Sequence, residues 1–306
     1  MCADGHDPVQ RDDPPCALLA QLQEVGFSES ERAAVAQTPA MRQQLRQFAE
    51  RGGRIERVDA DFSGANGMPG LIRFYCPRPP APPIHAHYGI LAHELGHALF
   101  CPEQWAPPEH FADAQAYARA RELGEAHAWL NQYRLHAVKR GGDPEAAPVL
   151  SVENDGDFGT QAVDVFARIA ECASVGWSES QILDELAMLN ANMFPCGMGE
   201  GNLKTYGQCN RWDWLRAHEH SAPAFRQFLH ALGRAPNVNE QKVVTKFNLF
   251  TPHSPAPTDA LHALARCFRA EPQARADALY ALARSLLPGC QPGVLTCGRD
   301  TASGLP

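Results

Sequence analysis

The sequence predicts an α+β fold, mostly helical, with a small sheet packed on a histidine-bearing helix. Three observations carry that expectation. Apolar residues recur at helical spacing along most of the chain. Two short runs, Arg54–Ala60 and residues 70–76, are rich in β-branched or aromatic residues and bounded by Gly and Pro, as strands are. Around Tyr88, Ile90, Leu91, Leu95, Ala98 and Leu99 the apolar positions form a helix that also carries His93 and His97. A chain of 306 residues has room for one large core or two modest ones. With 44% hydrophobic and 20% charged residues it falls in the globular range. A net charge of −8 argues against a general binder of nucleic acid or anionic membrane. No apolar run approaches the roughly 18 residues that a membrane helix needs.

Residues 1–14 read as a flexible polar leader. They offer neither a basic n-region nor an apolar h-region, so cytoplasmic synthesis without a signal peptide is expected. A helical region follows over 15–52, with Ala17, Leu18, Leu22 and Val25 on one apolar face and Met41, Leu45 and Phe48 on another. Gly52-Gly53 ends it. The two strands come next, with 61–70 read as a turn between them. Residues 77–83, five of them proline, form an extended connector. One helix is expected over 84–101, stopped by Pro102, and another over 108–140 with a break near Gly124. Residues 143–160 read as a loop and 161–176 as helix. Ser178 then caps a new helix with Gln181 three residues on. Residues 195–211 read as a long loop and 212–232 as helix. Near the C-terminus, residues 259–266 and 277–284 repeat at a period of 18 and predict an Ala/Leu helical hairpin.

His93-Glu94-Leu95-Gly96-His97 stands above the rest. Histidines at i and i+4 lie on one helix face, one turn apart. Both imidazoles then reach a single Zn²⁺ at about 2.0–2.1 Å. Glu94 is rotated by about 100° from His93. It can then face the open metal position rather than ligate, and accept a proton from zinc-bound water as the expected catalytic base. Two surface histidines and a glutamate on an ordinary helix would give the same five letters. The apolar flanks argue against that. So does Gly96, which costs about 1 kcal/mol mid-helix relative to Ala and therefore has a packing reason.

The segment from Ile90 to Leu99 resembles the active-site helix of zincin metallopeptidases. In the gluzincin branch the third ligand is a Glu on a following helix. Gly124-Glu125-Ala126-His127-Ala128-Trp129 is similar to that helix, with Glu125 lying 28 residues after His97. The resemblance covers residues 54–140 and implies a zincin-like fold, one Zn²⁺ per chain, and His93, His97 and Glu125 as its ligands. It further implies hydrolysis of peptide bonds in a protein or peptide substrate. The strand at 71–76 resembles the edge strand that aligns substrate in zincins. The metzincin extension, with a third His soon after, is absent. Glu122, Asp113 and His110 stay open as alternative third ligands or as partners of a ligating histidine. Tyr206, His218 and His220 are candidates for oxyanion or substrate contact; the histidine pair also reads as a solvated helix face.

The domain organisation expected is a catalytic domain over 15–150, a helical subdomain over 151–235 forming the other cleft wall, and a C-terminal extension over 236–306. A compact, toxin-like member of the branch would be an effector exported by a leaderless route, with a cognate inhibitor or immunity protein as partner. Two other readings compete: a zinc-binding interaction protein that no longer cleaves, and an intracellular regulatory protease acting on one partner. Retention of Glu94 opposes the first, since a closed structural site needs no base.

Other features carry less. His85 and His87 read as a solvated helix start. Ten cysteines without a CxxC pair predict free thiols. Cys196 and Cys209 lack the spacing of a second zinc site with His218, and export would allow them to pair instead. Residues 154–157 lack the frame of a calcium loop and read as an acidic turn. Trp212 and Trp214 read as core.

Overall fold

A computed structural model of the chain describes residues 16–77, 87–139, 149–156, 159–195, 205–220, 223–246, 264–266 and 268–269. Among them helix predominates and a small mixed sheet accompanies it, an α+β architecture as expected. Two compact units divide the chain. One comprises residues 1–106, 120–152 and 162–190; the other comprises 107–119, 153–161 and 191–306. The units interleave along the chain, whereas the sequence expectation divides it at 150 and 235. Residues 162–190, expected in the helical wall, belong to the unit that holds the motif helix.

The first unit opens with α1 (Cys16–Glu24), α2 (Glu29–Gln37) and α3 (Pro39–Glu50) rather than one helical region. Gly26, with φ of 101°, breaks the chain after α1. Extended backbone at Thr38 followed by Pro39 separates α2 from α3. Ser28 and Glu31 form a reciprocal capping box on α2. Leu18, Leu22, Val25, Met41, Leu45 and Phe48 are all buried, as their spacing predicts, while Ala17 is exposed.

Three strands follow: β1 (Arg54–Ala60), β2 (Gly64–Met68) and β3 (Leu71–Pro77), in the order β1-β3-β2. β3 runs parallel to β1, pairing Arg54 with Leu71, and antiparallel to β2, pairing Gly67 with Ile72. Two expectations are corrected here. The span 61–70 is not a turn alone, because it contains β2. The strand at 71–76 is central rather than an edge; β1 and β2 are the edge strands on either side of it among the described residues. Gly64, Asn66 and Gly67 carry little strand propensity, so β2 owes its form to its neighbours rather than to its sequence.

α4 (His87–Phe100) packs its buried face, including Leu91 and Leu95, into one core with Ile72 and Phe74 of β3. Pro102 stops it by opening a short 3₁₀ turn. α5 (Ala114–Lys139) is continuous through Gly124, against expectation, and starts later than Pro108. Residues Pro108–His110 form a separate 3₁₀ turn, and the Asp113 carboxylate accepts the Ala116 N–H at 2.8 Å ahead of the helix. Within the first unit α4 and α5 approach closely at Gly96, where a Cβ would collide with the Ala128 backbone. This is the packing reason that the mid-helix glycine demands. Asn131 of α5 donates to the Ala92 carbonyl at 2.6 Å and exchanges two hydrogen bonds with Gln44 of α3, joining three helices.

Within the expected loop over 143–160, β4 (Ser151–Gly156) and the start of β5 (Gly159–Asp164) form a two-stranded sheet, which also takes the start of the expected helix at 161; residues 143–148 and 157–158 lie outside the described residues. Asn154 and Asp155 therefore lie in a strand. Asp164 caps α6 (Val165–Ser174), and Ser178 caps α7 (Glu179–Asn192) with Gln181, as its spacing predicts.

In the second unit, α8 (Tyr206–Ala217) begins earlier than the expected loop allows, because Thr205 and Gln208 form a capping box. The span 212–232 is not one helix: α9 (Pro223–Leu232) is separate, and α10 (Val238–Lys246) follows. Trp212 and Trp214 are core residues, packed with Phe225, Phe228 and Phe268. The leader 1–14 lies outside the described residues, as does most of the C-terminal repeat. Cys76, Cys101, Cys172 and Cys209 carry free thiols, and Cys196 lies outside the described residues. Among the described residues no helix is long and apolar enough to cross a membrane.

Candidate metal centre

The i, i+4 spacing on α4 aims both motif imidazoles the same way, and their Nε2 atoms lie 3.1 Å apart. α5 supplies Glu125 opposite them. Its Oε1 is 3.3 Å from His93 Nε2 and its Oε2 is 3.3 Å from His97 Nε2. Among the described residues this trio is the one cluster of metal-capable groups. A tetrahedral ion with ligand bonds of about 2.0–2.2 Å requires neighbouring ligand atoms about 3.3–3.6 Å apart. The three donors stand close to that triangle, and two imidazoles with one carboxylate suit Zn²⁺. The alternatives fall outside it. Glu122 is buried on α5 one turn before Ala126 and does not join the cluster, while His110 and Asp113 belong to the second unit.

Charge is concentrated here. Burial works to lower the His93 pKa, but Glu125 and Glu94 outweigh it and hold His93 at about 9. Burial works to raise the Glu125 pKa, but His93 and His97 hold the carboxyl well below the usual range. The metal-free pair is thus a histidinium and a carboxylate poised to exchange a proton for a cation.

Glu94 is 6% exposed and stays out of the triangle. Its neighbour is the edge strand β2: the Gly67 N–H donates to the Glu94 carboxylate. Burial pushes the Glu94 pKa up, with the two histidines opposing. A Cβ at residue 67 would overlap the Glu94 carbonyl oxygen. Glycine within a strand often marks such a close approach, which is the signal that could have located β2.

Tyr206, His218 and His220 all belong to the second unit. Tyr206 is not in a loop but opens α8, where its N–H donates to the Met193 carbonyl. His218 ends α8, stacked on Trp214 at 4.0 Å, and is part-buried rather than solvated; His220 is exposed. His87 is likewise corrected: it is buried at the start of α4, 3.2 Å from Glu31 and packed on Phe27. His85 lies outside the described residues.

Sequence reasoning missed three residues that surround the centre: Gly67, Gln104 and Gln132. Gln104 Oε1 lies 2.9 Å from His97 Nδ1, and the Gln132 side chain hydrogen-bonds His93. No short motif marks either glutamine. Comparison with known proteins finds no matching family model, no curated protein of similar sequence and no solved structure of similar fold.

Proposed function

We propose that this protein is a zinc-dependent metallopeptidase of zincin-like, gluzincin type, with His93, His97 and Glu125 as ligands, Glu94 as base, and a protein or peptide as substrate. The observation that carries the reading is the triangle of two Nε2 atoms and one carboxylate beside a buried, non-ligating glutamate. A bound zinc supplies a Lewis acid and lowers the pKa of water towards about 7. The chain supplies the rest. Glu94, held by the Gly67 N–H and raised in pKa by burial, is placed to take a proton and pass it to a leaving amine. Glu125 stays ionised beside the histidines and offsets cationic charge. β2 has no strand on its outer side among the described residues, so an extended peptide could pair along it within reach of Glu94.

The deciding experiment is elemental analysis of purified wild type beside Glu94→Gln, with peptide cleavage assayed on both. One zinc per chain in each, with cleavage lost in the variant, supports the reading. No zinc in either after reconstitution overturns it. Zinc in both without cleavage by wild type on any protein or peptide presented would favour the interaction protein.

A further inference from the structure

Gln104 is a glutamine with a fixed orientation. It sits in the 3₁₀ turn after α4 and is 4% exposed. Its Nε2 donates to two backbone carbonyls, those of His97 and Cys101, at 3.0 Å each. Both amide hydrogens are thereby committed, so the atom facing His97 Nδ1 at 2.9 Å is an oxygen. Neighbours lock the turn. Arg121 Nη1 donates to the Gln104 carbonyl at 2.8 Å, and a Cβ at Gly124 would overlap the Gln104 side-chain oxygen. The glycine directly before Glu125 therefore makes room for this amide.

An acceptor facing Nδ1 requires a hydrogen on Nδ1. A neutral imidazole with hydrogen on Nδ1 carries its free lone pair on Nε2. Nε2 is the atom that faces His93 and Glu125. We infer that Gln104 is a positioning residue of the metal centre, fixing the tautomer and ring plane of His97 so that Nε2 is the donor. The inference rests on the metal-binding reading above. It adds a feature of chemistry: the partner is a neutral amide, not a carboxylate, and His93 likewise meets an amide in Gln132. A carboxylate there would share its charge with the imidazole and raise its basicity, whereas an amide orients the ring and leaves the ion more electrophilic.

The test uses the full chain and zinc alone, titrated against a chromophoric chelator. Wild type, Gln104→Met and Gln104→Glu are compared. Met removes the acceptor at similar volume, and the expected result is a rise of about 10–100-fold in the zinc dissociation constant. Glu keeps an acceptor facing Nδ1 but turns its second oxygen on the His97 and Cys101 carbonyls, so affinity is expected to recover only in part, to between the Met variant and wild type. A Gln104→Met variant that binds as tightly as wild type overturns the inference and leaves the metal site standing. Wild type that binds no zinc overturns the metal reading itself. Should the Met variant fail to fold, long-range ¹H–¹⁵N spectra of zinc-loaded wild type decide: hydrogen on His97 Nδ1 is expected, and hydrogen on Nε2 overturns the assignment.

Discussion

Gly67 donates its backbone N–H to the carboxylate of Glu94 and stands so close that no side chain fits between them. An edge strand and a helix are thus brought to contact distance at the residue assigned as base. A bulkier residue at 67 must push β2 off α4 or turn Glu94 away.

Gly67→Ala is therefore expected to destabilise the fold by about 1–3 kcal/mol, the usual cost of overpacking. It is also expected to lower the rate of the proposed peptide cleavage while zinc content stays as in wild type. Denaturant unfolding, cleavage assays and elemental analysis on one preparation check this. Unchanged cleavage in a folded Gly67→Ala variant would show that the contact does not position Glu94.

Glu125→Ala removes one corner of the triangle. Zinc affinity is expected to fall by more than the roughly 100-fold that loss of an outer-shell partner costs. The metal-free variant gives a second readout. Without Glu125 the main influence raising the His93 pKa is gone, and burial then lowers it. The His93 pKa is expected to drop from about 9 to near or below the usual 6.5 in an NMR titration. Retained affinity would send the search for the third ligand back to Glu122, Asp113 and His110.

Zinc uptake by wild type is expected to release protons. His93 binds its proton up to a pKa of about 9, so at pH 7 it is charged in the metal-free chain and must become neutral to ligate. Glu125 is already ionised at that pH and contributes no proton. Affinity should therefore rise with pH, approaching tenfold per unit below about 9, and flatten above it. Calorimetry in buffers of different ionisation enthalpy is expected to count one proton from His93 near pH 7. A count of zero from the protein ligands would mean that His93 is neutral before metal arrives.

Much of this site is legible in the sequence because its signals are local. His93 and His97 share a face by spacing alone, and Leu91 and Leu95 declare the buried side of the same helix. Glu125 needed a resemblance, since nothing about its own neighbours says that α5 turns it towards α4. β2 was illegible because a strand of Gly, Ala, Asn, Gly and Met is held by β3 and α4 rather than by propensity. Gly124, read as a break, is instead space for Gln104, a contact between residues 20 apart. The pairing of β4 and β5 is illegible for a related reason: Asn154, Asp155 and Gly156 of β4 are turn-forming residues and read as loop.

Asn131 gives a prediction independent of metal. Its side chain is 5% exposed, donates to the Ala92 carbonyl in the motif helix and trades two hydrogen bonds with Gln44. Leucine has a similar volume but neither donor nor acceptor. Asn131→Leu leaves the part-buried Gln44 amide without its partner, and a side-chain hydrogen bond lost there costs about 0.5–1.5 kcal/mol. The Ala92 carbonyl keeps its place in the α4 ladder, so most of the loss falls on Gln44. Stability is expected to drop by about 0.5–1.5 kcal/mol in denaturant unfolding of the metal-free chain. The double variant Asn131→Leu with Gln44→Leu is expected to recover part of that loss, because both partners then become apolar together. Additive losses in the double variant would mean that the two amides act separately and that α3 is not tied to α5 through them.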